Sequence, residues 1–430
     1  MNSAILCSMP AQGHVRPMVA VATGLLARGW RVRFLTVAAF GEMVRATGAE
    51  FLELPAEADS LQLREGDERY SGIASLNHGI KQAFFDPAPA EFHALRAALR
   101  AESADAVLHD TTFLGTAGLH SWPAQERPLL VMCGILPLGL SSRDCAPFGL
   151  GITPMRGPIG RIRNRLLTTL STKVILAPAH RQADAMLRDI GAPTLNGRFF
   201  VDLLLRDDLL AQFTVREFEY PRSDAPANLM FFGPTAQLVP STEPLPPWWS
   251  ELDGRRPVVH VSQGTVANTD FDELVRPTLT ALTNEDVTVV VTTGGPPVAE
   301  LGPLPANALA AEFIPHDKLL PRTDVFVTNG GYGALHYAMA TGTPVVVAGD
   351  TEDKPETSAR VGWSGIGINL KTGRPKPAAI LKVVRKVLAD NRYAETSASI
   401  GRAIERSPGV DGLADVLETM IADRRPSARE

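Results

Sequence analysis

His14 is the residue whose type and position most directly offer chemistry in this chain of 430 residues. It closes a Pro10–His14 turn between the short apolar run Ala4–Met9 and the helical periodicity of Val15–Arg28, which Gly29 ends. A strand, a tight turn and a helix in that order place the side chain at the carboxyl end of a strand, where open α/β sheets bind ligands. Gly13 permits close approach, and the positive end of the next helix lies alongside. Asp110 directly follows a second run, Ala106–His109. If the two strands are parallel neighbours, a neutral imidazole can take the proton of an attacking hydroxyl while the carboxylate fixes its tautomer and stabilises the imidazolium. The same residues would also serve as caps, His14 for its own turn and Asp110 for a helix over Thr111–Leu119. Spacing alone leaves both readings open. His109 is the rival base, whereas His78, His93, His120, His180 and His260 lie in helical or strand patterns that suit surface or core places.

Three loops of the second half share small residues, backbone donors and strand-end positions. In Ser262-Gln263-Gly264-Thr265, Gly264 bares the backbone, and the hydroxyls of Ser262 and Thr265 can donate to phosphate oxygens. Asn329-Gly330-Gly331-Tyr332-Gly333 precedes a helix expected from Ala334, whose free N–H groups would meet an anion; a plain strand-to-helix connector is the alternative. Gly349-Asp350-Thr351-Glu352-Asp353-Lys354 gathers carboxylates that can accept hydrogen bonds from sugar hydroxyls, unless Asp353 only caps the next helix. No Gly-x-x-x-x-Gly-Lys-Ser/Thr stretch occurs, and Gly331-Tyr332-Gly333 lacks the third glycine of a dinucleotide fingerprint, which argues against a kinase or a dehydrogenase. The pair Asp270 and Asp272 has the spacing of a metal-bridged sugar nucleotide site, but its place at a helix start, with Glu273 following, favours a cap. No metal is expected.

These loops need a scaffold of parallel strands covered by helices, and the pattern supplies one. Short β-branched runs alternate with longer helical periodicities: Arg31–Thr36, Phe51–Leu54 and Leu129–Cys133 complete the first set of strands. The second set is Pro257–Ser262, Val287–Thr292, Ala310–Phe313, Val325–Thr328 and Pro344–Ala348, with helices near Asp272–Leu282 and over Ala334–Thr341. Two α/β domains follow, since a single core stops growing near ~250–300 residues. We expect residues 1–220 to form the first, residues 221–250, with Pro244, Pro246 and Pro247, a linker, residues 251–408 the second, and residues 409–430 a terminal helix and tail. The polar stretch Glu57–Gly79 reads as an excursion bordering a cleft. The run Arg156, Arg161, Arg163, Arg165 reads as the solvated face of an amphipathic helix.

Composition narrows the partners. A net charge of −5 creates no field that collects nucleic acid or anionic lipid, so a small molecule is the expected partner. The longest apolar stretch, Pro128–Leu140, is interrupted by Gly134 and Pro137 and is too short for a membrane span. With no leader-like start, the expected location is the cytoplasm. Cys7, Cys133 and Cys145 have neither metal nor redox spacing and are expected to be buried free thiols.

Taken together, these motifs resemble the family-1 nucleotide-sugar glycosyltransferases of the GT-B fold, above all bacterial enzymes that glycosylate macrolides and other natural products. Gly13-His14-Val15-Arg16-Pro17 is similar to the family's base-bearing turn, and Asp110 to its strand-end partner. The stretch from Phe313-Ile314-Pro315-His316 through Asn329-Gly330-Gly331 to Asp353-Lys354-Pro355-Glu356 is similar to its donor signature. The resemblance implies two Rossmann-like domains facing across a cleft, with a C-terminal helix, Val410–Ala422, crossing back to the first. It further implies inverting, metal-independent transfer without a cofactor from a nucleotide-diphosphate sugar, such as a UDP- or dTDP-sugar, to a hydroxyl of a small hydrophobic acceptor. In donor binding it implicates Ser262, Gly264, Thr265, Phe313, Ile314, His316, Asn329, Gly330, Gly331, Gly333, Asp353, Lys354 and Thr357, with Phe313 falling where an aromatic stacks on the base. Phe84, Phe85, Phe113 and Phe148 are candidates for the acceptor pocket, with core packing as the equal alternative. Asn329 and Lys354 stand where the family usually has His and Gln, and Thr357 where an Asn is common, which bears on donor choice. A sugar-nucleotide epimerase of the same fold and a non-catalytic auxiliary protein are the other readings.

Overall fold

The computed structural model describes residues 1–59, 72–235, 244–265 and 268–424. Most of Glu57–Gly79 and part of the expected linker therefore lie outside the described residues. The first sheet contains β1 (Ser3–Cys7), β2 (Arg31–Thr36), β3 (Glu50–Glu53), β4 (Ala106–Asp110), β5 (Leu129–Gly134), β6 (Leu209–Gln212) and β7 (Leu229–Phe231). Its seven strands run in the order β3-β2-β1-β4-β5-β6-β7. The second sheet contains β8 (Val258–Ser262), β9 (Thr288–Thr292), β10 (Ala308–Ala311), β11 (Val325–Thr328), β12 (Val345–Val347) and β13 (Gly367–Asn369), in the order β10-β9-β8-β11-β12-β13. Every pairing is parallel. Strands buried on both faces by helices need no polar side, which is why β5 reads as a continuous apolar run and β4, β8 and β11 as apolar runs without polar alternation, whose polar residues are buried or stand at the carboxyl end. In each sheet the direction of winding reverses between the first and fourth strands, β1/β4 and β8/β11, and a crevice opens there at the carboxyl ends.

The two-domain α/β expectation holds, with three corrections. β7 lies inside residues 221–250, so the first domain runs on past residue 220; a three-residue strand among prolines carries no period to read. Val215 and Phe218 pack the other way, into the second domain's core with Leu320, Phe326, Tyr332 and Leu335, so the chain visits that domain before returning to β7. The basic run, at the cap and on the helix Gly157–Leu170, is solvated as expected, with Arg156, Arg161 and Arg165 exposed, but the helix is not amphipathic in the expected sense. The side facing solvent carries Ile159, Ile162, Leu166 and Leu170, while Gly160 and Asn164 face inward. Cys7, Cys133 and Cys145 are buried free thiols, as expected.

The C-terminal helix Gly409–Arg424 crosses back. Val410, Leu413, Ala414, Leu417 and Ile421 enter the core formed by β1 and the helix Gln12–Ala27, and Glu418 accepts from the Trp30 indole at 3.1 Å. The fit is tight, since a Cβ added at Gly24 would come within 2.4 Å of Val410 Cγ1. Val410→Ala should therefore cost ~2 kcal/mol through lost burial and a residual cavity, read as a lower urea midpoint at unchanged slope. No helix among the described residues is long and apolar enough to cross a membrane.

Candidate active site

His14 sits in the first turn of the helix Gln12–Ala27 rather than in the loop before it, its N–H bonded to the Ala11 carbonyl at 2.9 Å. Asp110 is the last residue of β4, and the parallel pairing of β4 with β1 brings the two side chains together, with His14 Nδ1 3.4 Å from Asp110 Oδ1. A tighter route runs through a residue the sequence reading passed over. The Thr112 hydroxyl donates to Asp110 Oδ1 at 2.6 Å and lies 3.1 Å from His14 Nδ1. Having spent its hydrogen on the carboxylate, it accepts from Nδ1–H, which leaves Nε2 with the lone pair. The signal for Thr112 was available in Asp110-Thr111-Thr112, since a hydroxyl two residues after an Asp commonly closes such a turn.

Asp110 is fully buried and held on every side. Oδ1 accepts from the Thr112 and Phe113 amides, and Oδ2 from the Met9 amide at 2.7 Å and the Ser8 hydroxyl. Burial alone would raise its pKa, but His14 and these donors together hold it well below the usual carboxylate range. For His14, burial disfavours the cation. The Asp110 carboxylate, joined by Asp353 and Glu352 from the second domain, outweighs it and raises the imidazole pKa. The cap expected on a Thr111–Leu119 helix survives only locally, because a 3-10 helix begins at Leu114.

His109, the rival base, points into the domain. Its Nδ1 faces the Asp110 carbonyl at 2.9 Å and its Nε2 the Asp207 carboxylate at 3.0 Å. Two acceptors require two donors, so the ring is an imidazolium with no lone pair to offer. Its pKa is raised accordingly, Asp207 overcoming the effect of burial.

On the facing domain, four loops converge at the carboxyl ends of β8, β9, β11 and β12. Gly264 takes φ +75° and its N–H donates to Ser262 Oγ at 3.2 Å, with Thr265 exposed beside it. Gly330 takes φ +96°, and Gly331 and Gly333 have no heavy atom within 4 Å of where a Cβ would lie, so the start of the helix Tyr332–Ala340 is bare. Asn329 is spent differently from expectation: Nδ2 donates to the Gln263 carbonyl at 2.5 Å and ties the β11 loop to the β8 loop. One amide hydrogen remains. Asp353 starts the helix Lys354–Ser364 without a side-chain cap, while Lys354 Nζ pairs with Glu352 at 2.5 Å. Sequence reasoning missed the loop after β9, where Gly294 and Gly295 both take positive φ and exposed Phe313 approaches Gly295.

Other candidates lie beneath this surface. Thr357 is fully buried under the Gly330 turn, and Ile314 packs with Val258, Val290 and Leu319. His316 sits among His260, Phe326 and Tyr337, and burial lowers its pKa to about 4, so it carries no charge toward an anion at neutral pH. Phe85 and Phe113 belong to the core of the first domain, while Phe84 and Phe148 pack partly buried at its edge. Asp270 is held by Arg374 at 2.7 Å and by the Asp272 amide, and Asp272 pairs with Arg276.

A cleft with an oriented imidazole on one wall and bare helix-start amides on the other is the anatomy of a GT-B group-transfer enzyme. Comparison with known proteins places the chain more closely. Residues 276–420 match the erythromycin biosynthesis protein CIII-like C-terminal domain. The 4'-demethylrebeccamycin synthase of Lentzea aerocolonigenes is 39% identical over 97% of this chain and 99% of its own length. UDP-glycosyltransferase 2 of Phaeomoniella chlamydospora is 33% identical over 97% and 95%. The fold is shared with the calicheamicin glycosyltransferase CalG4, at a TM-score of 0.75 and 22% identity over 99% of this chain and 100% of that one. The glycosyltransferase VinC, solved with dTDP, is similar at a TM-score of 0.68 and 19% identity over 98% and 100%. The chain belongs to the family-1 nucleotide-sugar-dependent glycosyltransferases and is a glycosyltransferase of the natural-product type.

Proposed function

We propose that this enzyme transfers a sugar from a UDP- or dTDP-sugar to a hydroxyl of a small, largely hydrophobic natural product, with inversion and without a metal. The observation that carries the reading is the His14–Thr112–Asp110 arrangement, which leaves His14 Nε2 as the free lone pair on a wall of the cleft. Nε2 takes the acceptor proton as the oxygen attacks the anomeric carbon. The bond from that carbon to the phosphate oxygen breaks in the same step, with its electron pair leaving on the nucleotide diphosphate. A single displacement inverts the centre. Buried Asp110 stabilises the imidazolium, and the leaving charge is met by Thr265, the remaining Asn329 amide hydrogen and the helix-start amides at Gly331–Gly333. The acceptor lies against the first domain, bordered by Phe84 and the loop that carries Phe148.

Transfer from UDP- or dTDP-sugars to a panel of phenolic acceptors, followed by mass change, tests the reading. The donor incubated alone should not epimerise; its conversion to a second nucleotide sugar would favour the epimerase. Because Asp270 and Asp272 are already engaged by Arg374 and Arg276, EDTA should leave the rate within about twofold. A loss restored by Mg²⁺ or Mn²⁺ would overturn the metal-free mechanism.

A further inference from the structure

Glu356 has no place in the mechanism above, yet it joins the two walls of the cleft. Its Oε1 accepts two backbone N–H groups of the first domain, from Gly149 and Gly151, each at 2.9 Å. Its Oε2 accepts from Arg360 Nη1 at 3.0 Å. Arg360 is fully buried and forks onto Glu219, with Nε–Oε1 at 2.7 Å and Nη2–Oε2 at 3.1 Å, and its guanidinium lies 4.1 Å from the Tyr220 ring centroid.

One buried cation thus serves two buried carboxylates. Lys354, the next cation along the chain, is turned to Glu352. Glu356 Oε1 therefore depends on the two glycine amides, and if the loop left, that oxygen would be stranded at a site where Glu356 is only 5% exposed. The loop is shaped for the contact. Gly149 and Gly151 take φ +97° and +59°, and a Cβ at Gly151 would lie 2.7 Å from the Pro355 carbonyl oxygen.

The neighbouring residue completes the link. Thr357 Oγ1 lies 3.0 Å from where a Cβ of Gly330 would be, so consecutive residues of one helix turn back the Gly330 turn and hold the Gly149–Gly151 segment. We propose that Glu356 is a positioning residue that couples the donor-side Gly330 turn to the acceptor-side loop 147–151, so that the acceptor wall is set when the donor site is occupied. This rests on the functional reading above, in which that loop borders the acceptor.

Hydrogen exchange of the full chain, with and without UDP or dTDP, tests it. In the wild type either nucleotide should slow exchange at 329–333 and also at 145–152, in the other domain. In Glu356→Ala, exchange at 145–152 should be about tenfold faster, and nucleotide should protect 329–333 alone. Gly151→Ala should do the same while leaving every charge of the network in place, and so covers the case in which Glu356→Ala does not fold. With 4-methylumbelliferone as acceptor and UDP-glucose as donor, the acceptor KM should rise about tenfold and the donor KM stay within about twofold. Wild-type exchange rates at 145–152 in both variants overturn the inference. Failure of both nucleotides to protect 329–333 in the wild type overturns instead the donor-site reading.

Discussion

His14→Ala is expected to lower transfer by ~10²–10⁴-fold, the usual worth of a positioned general base, while leaving UDP or dTDP affinity within about threefold. Binding should persist because the imidazole belongs to the first domain and the phosphate loops to the second. Turnover by purified His14→Ala within a few-fold of wild type would remove the assignment. The pH profile gives a second check with a definite sign. The base must be neutral, and although burial opposes the cation, Asp110 raises the imidazole pKa above its ordinary 6.5. kcat/KM should therefore fall as pH drops through a midpoint above 6.5. A raised pKa also means that His14 stabilises the fold below its unfolded value and that this contribution fades as pH rises through the folded value. Activity accordingly appears in the window where that stabilisation is lost. In Asp110→Asn the largest upward influence disappears and burial remains, so the midpoint should move to lower pH even as the rate falls. A midpoint that stays put would mean that Asp110 does not govern the base.

Much of this site could be read before any coordinates, for an identifiable reason. His14, Asp110, Gly264 and Gly330–Gly331 all stand at carboxyl ends of strands, and strand-turn-helix punctuation is local in sequence. What escaped was whatever depends on distant partners. Glu219 and Arg360 are 141 positions apart, and their pairing leaves no mark on either segment. Asn329 reads as a phosphate donor from its residue type, but in the fold one of its two amide hydrogens goes to the Gln263 carbonyl and only the other is left for an anion. The phenylalanines divided for the same reason: Phe113 is 0% exposed, and its burial follows from the packing of the first domain's helices, not from the apolar pattern around it. The strands β6, β7 and β13 were missed because none carries the β-branched run that marks the equally short β11 and β12.

Two glycines of the donor domain separate packing from ligand contact, and substituting each should produce different losses. A Cβ on Gly349 would lie 2.0 Å from the Asn329 carbonyl oxygen and 3.0 Å from Lys354 Cβ. The obstructing atom is backbone, so no rotamer change relieves it, and the Asn329-Gly330 peptide must shift by about 1 Å, enough to cost ~10²-fold in a positioned site. Gly349→Ala should therefore weaken UDP or dTDP binding by ~10²-fold and also lower the thermal midpoint, because β11 and β12 are neighbours in the sheet. Gly331 differs. Its φ of −55° suits any residue, and nothing lies within 4 Å of an added Cβ. Gly331→Ala should leave the thermal midpoint unchanged and still weaken nucleotide binding about tenfold, because a diphosphate on the helix-start amides needs the space that the methyl group fills. Titration calorimetry beside thermal unfolding resolves the pair. Full affinity in Gly331→Ala would move the diphosphate off this helix start, whereas full affinity in Gly349→Ala would show that the Asn329–Gly331 turn tolerates displacement and is not the part of the site that fixes the phosphates.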